Sequence, residues 1–96
     1  MHNTDTDLVD FLDLANFTLA DEFTAKWKYR FSVKFIREFQ NKILKSLKDR
    51  KPIKIESLVK HFTKKCGYSI DQVANFFQAI DINIYHPLII GKFKYH

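Results

Sequence analysis

The chain has 96 residues, of which 46% are hydrophobic, and ten Phe, four Tyr and one Trp stand against only two Gly and two Pro. It carries one cysteine, a net charge of +5, and no aliphatic run longer than Leu88-Ile89-Ile90. These numbers exclude a disordered chain, an intrachain disulfide framework and a membrane-spanning helix, and they fit a single domain, 1–96, with one core.

Residues 5–15 read as a short acidic amphipathic helix: Leu8, Phe11, Leu12 and Ala15 recur at helical spacing, and Thr4 opens a Thr-Asp-Thr-Asp capping pattern. Over residues 23–33 apolar and polar positions alternate without exception, from Phe23 to Val33. This is read as an additional half-buried strand, with Phe23, Trp27, Tyr29 and Phe31 on one face and Lys26, Lys28 and Arg30 on the other. A mostly α alternative stands beside it, because Phe23, Trp27, Phe31 and Phe35 are also four apart and one long helix could run over 19–50.

Residues 33–50 predict a helix with Val33, Ile36, Phe39, Ile43, Leu44 and Leu47 on its apolar side. Lys34, Arg37, Glu38, Asn41, Lys42, Lys45, Lys48 and Asp49 lie opposite, and Pro52 ends the element. Ile53-Lys54-Ile55 is a short extended piece. Glu56 to Lys65 form the next helix, with Leu58, Val59 and Phe62 inward and Lys60, His61, Lys64 and Lys65 outward. Gly67 suits the left-handed position after a helix end, and Ser69 with Gln72 forms a capping box for a helix over 69–80. Its inward face is Ile70, Val73, Ala74, Phe77 and Ile80; its outward face is Asp71, Gln72, Asn75 and Gln78, with Phe76 beside them. From Ile82 the chain alternates in an extended manner to His96, broken by Pro87 and Gly91.

The order from residue 33, in which two helices of about ten residues flank the tight turn Cys66–Ser69 and a hairpin-like tail follows, resembles a winged helix-turn-helix domain over 33–96. The expected fold class is therefore α+β and helix-rich, with the acidic segment 1–22 as an added helix. The resemblance implies a small duplex DNA-binding regulator or accessory factor whose second helix of the pair enters the major groove. Gln72, Asn75 and Gln78 would read bases, and Lys45, Lys48, Arg50, Lys51, Lys54, Lys60, Lys64, Lys65, Lys92 and Lys94 would clamp phosphates.

Charge asymmetry supports the same ligand class. Residues 23–96 carry all 16 Lys and Arg against five acids, a net of +11, whereas residues 1–22 carry six acids and no Lys or Arg. The acidic segment and the many aromatics leave a second class open, a protein-interaction module or homodimer acting through residues 1–22. A third is an RNA or single-strand binder that stacks bases on Trp27, Tyr29, Phe93 or Tyr95.

No catalytic constellation, phosphate-cradling glycine loop or zinc spacing is present, so no enzyme activity, metal or cofactor is expected. Cys66, five residues from His61, reads as a half-buried cysteine at a helix end. Met1 to Asp7 contain no Lys or Arg, and Asp10 and Asp13 cut the first apolar cluster, so no secretory leader is expected. An intracellular location, cytoplasmic or with the chromosome, follows from that and from the lone cysteine.

Overall fold

The computed structural model describes residues 4–94, with side chains described from Asp10 onward. The expected Thr4 cap, the inward position of Leu8 and the aromatic Tyr95 lie outside the described side chains. The fold is helix-rich with a small parallel sheet, and the chain divides after Lys51 into two compact units. No helix among the described residues is long and apolar enough to cross a membrane.

The first unit is built from α1 (Thr4–Leu19), α2 (Asp21–Trp27) and α3 (Val33–Asp49). Helix α1 runs a full turn beyond its expected end at residue 15. Its buried stripe is Phe11, Ala15 and Thr18, whereas Leu12 is exposed. The Thr18 hydroxyl is satisfied inside the core by donating to Leu14 O at 3.0 Å. Ala20 is extended, and Asp21 and Glu22 then place negative charge in the first turn of α2, where the helix dipole favours it.

The strand expected over 23–33 is corrected here, and so is the single long helix over 19–50. Residues 21–27 are helical, residues 28–32 form a break, and α3 starts afresh at Val33. Two causes are visible. Phe23, Trp27, Phe31 and Phe35 form a ladder of ring contacts, each step 6.4 Å between centroids, which their four-residue spacing permits. Ser32 then caps α3 by accepting from Phe35 N at 3.1 Å, so the backbone at Ser32 is extended and α2 cannot run through it. Phe23 also stacks on Phe39 of α3, at 6.3 Å, a long-range contact that fixes the helical choice.

Helix α3 matches the expected span. Its buried stripe is Phe35, Ile36, Phe39, Ile43 and Ser46, while Val33 and Leu44, expected inward, are exposed. The helix stops before Pro52. Arg50 adopts a left-handed conformation at φ 54°, Lys51 N donates to Ser46 O, and the Ser46 hydroxyl donates to Lys51 O at 2.6 Å.

The second unit runs β1 (Ile53–Lys54), α4 (Ile55–Lys60), a π-helical turn (His61–Lys65), α5 (Ile70–Ala79), a 3₁₀ turn (Ile82–Tyr85) and β2 (Ile89–Ile90). The expected helix over 56–65 is thus an α-helix that widens in its last turn. There Cys66 N reaches back to His61 O and Tyr68 N to Phe62 O, with Gly67 left-handed at φ 79° as predicted. The Ser69 capping box forms in full: Gln72 N donates to Ser69 Oγ at 3.1 Å and Ser69 N to Gln72 Oε1 at 2.9 Å. The core of this unit is aromatic. Phe77 meets Phe62, Phe76 and Phe93 at centroid distances of 6.0, 6.3 and 5.2 Å.

The tail differs from the extended pair expected over 82–96. Asp81 turns left-handed, and Ile84 N bonds to Asp81 O, which makes Ile82–Tyr85 a 3₁₀ turn. The His86–Pro87 peptide is cis. Strand β2 pairs in parallel with β1, Ile53 against Ile89 and Lys54 against Ile90, and no antiparallel hairpin occurs among the described residues. Residues 92–94 are neither helix nor strand. The Asn83 side chain holds them, accepting from Phe93 N at 2.9 Å, and the Phe93 ring meets Phe77 edge-on.

Gly91, directly after β2, has φ +100°, and a Cβ there would lie 2.8 Å from Ile55 Cγ2. Gly91→Ala should therefore cost about 1–3 kcal/mol through backbone strain and overpacking. Chemical denaturation checks this; an unchanged midpoint would mean that the close approach to Ile55 relaxes freely.

Candidate nucleic-acid interface

The thirteen residues expected to touch nucleic acid are all exposed. In the second unit Lys60 closes α4, and Lys64 and Lys65 sit in the π-helical turn. That turn bonds residues five apart, which places Lys65 over Lys60 and Cys66 over His61. The second pairing is visible as a 3.6 Å contact between Cys66 Sγ and His61 Nε2. Both residues are half-buried, as expected for Cys66, while His61, expected to face away, is partly covered. They are the metal- and thiol-type ligand atoms that this unit brings together. The three lysine side chains hold no hydrogen bond or ion pair with the described residues, which leaves their charge open to an external anion.

On α5, Asp71, Asn75 and Gln78 are spaced by four and three and form one exposed stripe. Phe76, counted among the outward positions, is fully buried, and Ile70, counted inward, is exposed. The buried stripe is rotated towards Phe76 because a phenyl ring removes far more apolar area from water than Ala74 does. Gln72 is already engaged at the cap: its Oε1 accepts from Ser69 N at 2.9 Å, which takes one of that oxygen's two lone pairs and orients the amide. Asn75 and Gln78 have no such commitment. Lys54 precedes α4, and Lys92 and Lys94 project from the segment pinned by Asn83.

In the first unit Lys45, Lys48, Arg50 and Lys51 are exposed at the end of α3. Lys45 and Lys48 continue a longer basic stripe whose other members, Lys34, Arg37 and Asn41, lie outside the expected site. Lys34, Arg37, Asn41, Lys45 and Lys48, spaced by three or four, run along the solvent side of α3 for about 21 Å. That spacing is itself a signal legible in the sequence.

The turn 26–31 carries three cations over the rings that follow them: Lys26 Nζ lies 5.0 Å from the Trp27 ring, Lys28 Nζ 5.1 Å from Tyr29, and Arg30 Cζ 5.5 Å from Phe31. Trp27 and Phe31 are half-buried, and the Trp27 Nε1 is buried without a hydrogen-bond partner. Tyr29 is 86% exposed. Beside this turn, a surface groove of about 480 Å³ opens between α2 and α3, lined by Asp21, Thr24 and Lys28 on one wall and Arg37, Gln40 and Asn41 on the other.

No family model, curated protein or solved structure matches the chain.

Proposed function

We propose that the protein is a non-enzymatic nucleic-acid-binding module whose second unit engages duplex DNA, as a regulator or accessory factor. The observation that carries this reading is the trio Lys60, Lys64 and Lys65, exposed and without an acidic partner among the described residues, on one helix of a pair joined by the tight turn 66–69. Charges held this way exchange condensed counterions for phosphate contacts on binding. Lys54, Lys92 and Lys94 add contacts from the same unit, and Asn75 and Gln78 supply the base-reading groups of α5. Lys45, Lys48, Arg50 and Lys51 give the first unit a basic surface of its own. The winged helix-turn-helix resemblance supports this reading through its helix pair; the parallel β1–β2 pair does not supply a wing hairpin.

The α5 stripe provides a test, because Asp71 stands at its first turn beside Asn75. If α5 lies against the duplex, Asp71→Asn removes a phosphate repulsion and should tighten binding several-fold in an anisotropy titration. Unchanged affinity would move the duplex off α5.

A protein partner or second copy at α1 is the other reading. It is favoured by Leu12 and Phe17, which are 42% and 39% exposed on a helix that also displays Asp10 and Asp13. Hot spots of this kind are aromatic and aliphatic anchors with a charged rim.

A further inference from the structure

We infer that the groove between α2 and α3 of the first unit binds an unpaired nucleotide of single-stranded RNA or DNA, with Tyr29 stacking on the neighbouring base. The site is distinct from the duplex surface proposed for the second unit and does not rest on it.

The groove is lined mainly by polar groups, with Leu19 and Ala25 as its apolar members, and has two unlike ends. Asp21 and Thr24 of α2 and Lys28 at its C-cap are spaced by three and four, and Arg37, Gln40 and Asn41 share one side of α3. The helices follow each other through the short turn 28–32, and Gln40 is bonded across to Thr24, so Lys28 and Arg37 share the end nearest the turn. Asp21 stands at the other. Neither Arg37 nor Lys28 holds an ion pair with the described residues. An arginine fork beside an ammonium group suits one phosphate, and Asp21 opposes a second phosphate at the far end.

Between the ends lie groups suited to a base edge. The Gln40 amide is fixed, because its Nε2 donates to Thr18 O at 2.7 Å and to Thr24 Oγ1 at 3.2 Å. Its Oε1 is left as an oriented acceptor, and the Asn41 amide beside it offers both a donor and an acceptor. A volume of about 480 Å³ falls in the size range of small-ligand sites.

Tyr29 is the second, independent observation. The other described rings of this unit are buried or partly covered, Phe17 being the next most open at 39%, yet Tyr29 is 86% exposed directly after the groove residue Lys28, whose Nζ lies 5.1 Å from its ring. An exposed ring flanked by cations is the arrangement on which successive bases of a single strand stack, whereas a duplex offers no unstacked base to it. The groove thus offers phosphate and base-edge groups, and Lys28 joins it to the stacking platform of Tyr29.

The test is anisotropy titration of the full chain with labelled eight-residue oligo(U), oligo(A) and oligo(dT), and with a duplex in parallel. Oligonucleotide binding should weaken about tenfold in Tyr29→Ala and persist in Tyr29→Phe. Arg37→Gln should also weaken it and lower the salt slope by about one. A preference among the three strands identifies the source of the nucleotide. Oligonucleotide binding that ignores both Tyr29→Ala and Arg37→Gln overturns the inference, and so does a chain that holds the duplex and no oligonucleotide. A chain that holds oligonucleotides through Tyr29 and Arg37 but no duplex upholds it and removes the duplex reading instead.

Discussion

Phe77→Ala should destabilise the protein by about 3–5 kcal/mol, the usual cost of deleting a fully buried ring. Phe77 has no exposed surface and touches Phe62 in the π-helical turn, Phe76 within α5 and Phe93 in the tail. Removing its ring therefore leaves a cavity bordered by three rings from three segments, which cannot collapse together without moving Gly67 or the Asn83 anchor. For a chain of this length total stability is on the order of 5–14 kcal/mol, so the variant should forfeit a large part of it. Urea denaturation reads the effect. Leu44→Ala, at a residue 51% exposed, should shift the midpoint far less. A change below about 1 kcal/mol for Phe77→Ala would mean that the aromatic cluster is not the core of the second unit.

The second large effect concerns binding. Reversing Lys60, Lys64 and Lys65 to Glu together should weaken duplex affinity by about 10²–10³-fold at 0.1 M salt and flatten the salt slope by about three, one for each phosphate that a lysine no longer neutralises. All three side chains are exposed and have no ion-pair partner among the described residues, so the substitutions should leave folding intact, which circular dichroism can verify. The control is Lys34→Glu in the first unit, which should weaken duplex binding by less than any one of the three. If affinity and slope survive the triple reversal, the duplex does not rest on this helix.

What the sequence made legible was local. The span of α3, the Ser69–Gln72 cap and the left-handed Gly67 all follow from neighbours within about one helical turn. Residues 23–33 were not legible, because their alternation and their four-residue spacing coexist and suit different structures. The choice was made by the Ser32 cap and by Phe23 stacking on Phe39, sixteen residues away in sequence. The tail was opaque for the same kind of reason. Its parallel pairing with β1 and its Asn83 anchor join positions that no short window contains.

The candidate site divides in a similar way. The exposed lysines could be read from helical spacing, since charged side chains oppose the apolar stripe wherever that stripe is clear. Helix α5 shows the limit. Its face is set by the bulk of Phe76, and the Gln72 amide oxygen is oriented by its cap bond from Ser69 N. The α2–α3 groove was beyond reach, because it exists only once residues 21–28 are helical and packed on α3.

The most direct measurement is titration of the unmodified chain into a labelled random-sequence duplex at 50 and 200 mM salt. Micromolar or tighter binding is expected at the lower salt, with a fall of at least tenfold at the higher. No binding at 50 mM salt would contradict the duplex reading, leaving the lysines as a solvated surface and turning attention to a protein partner at α1.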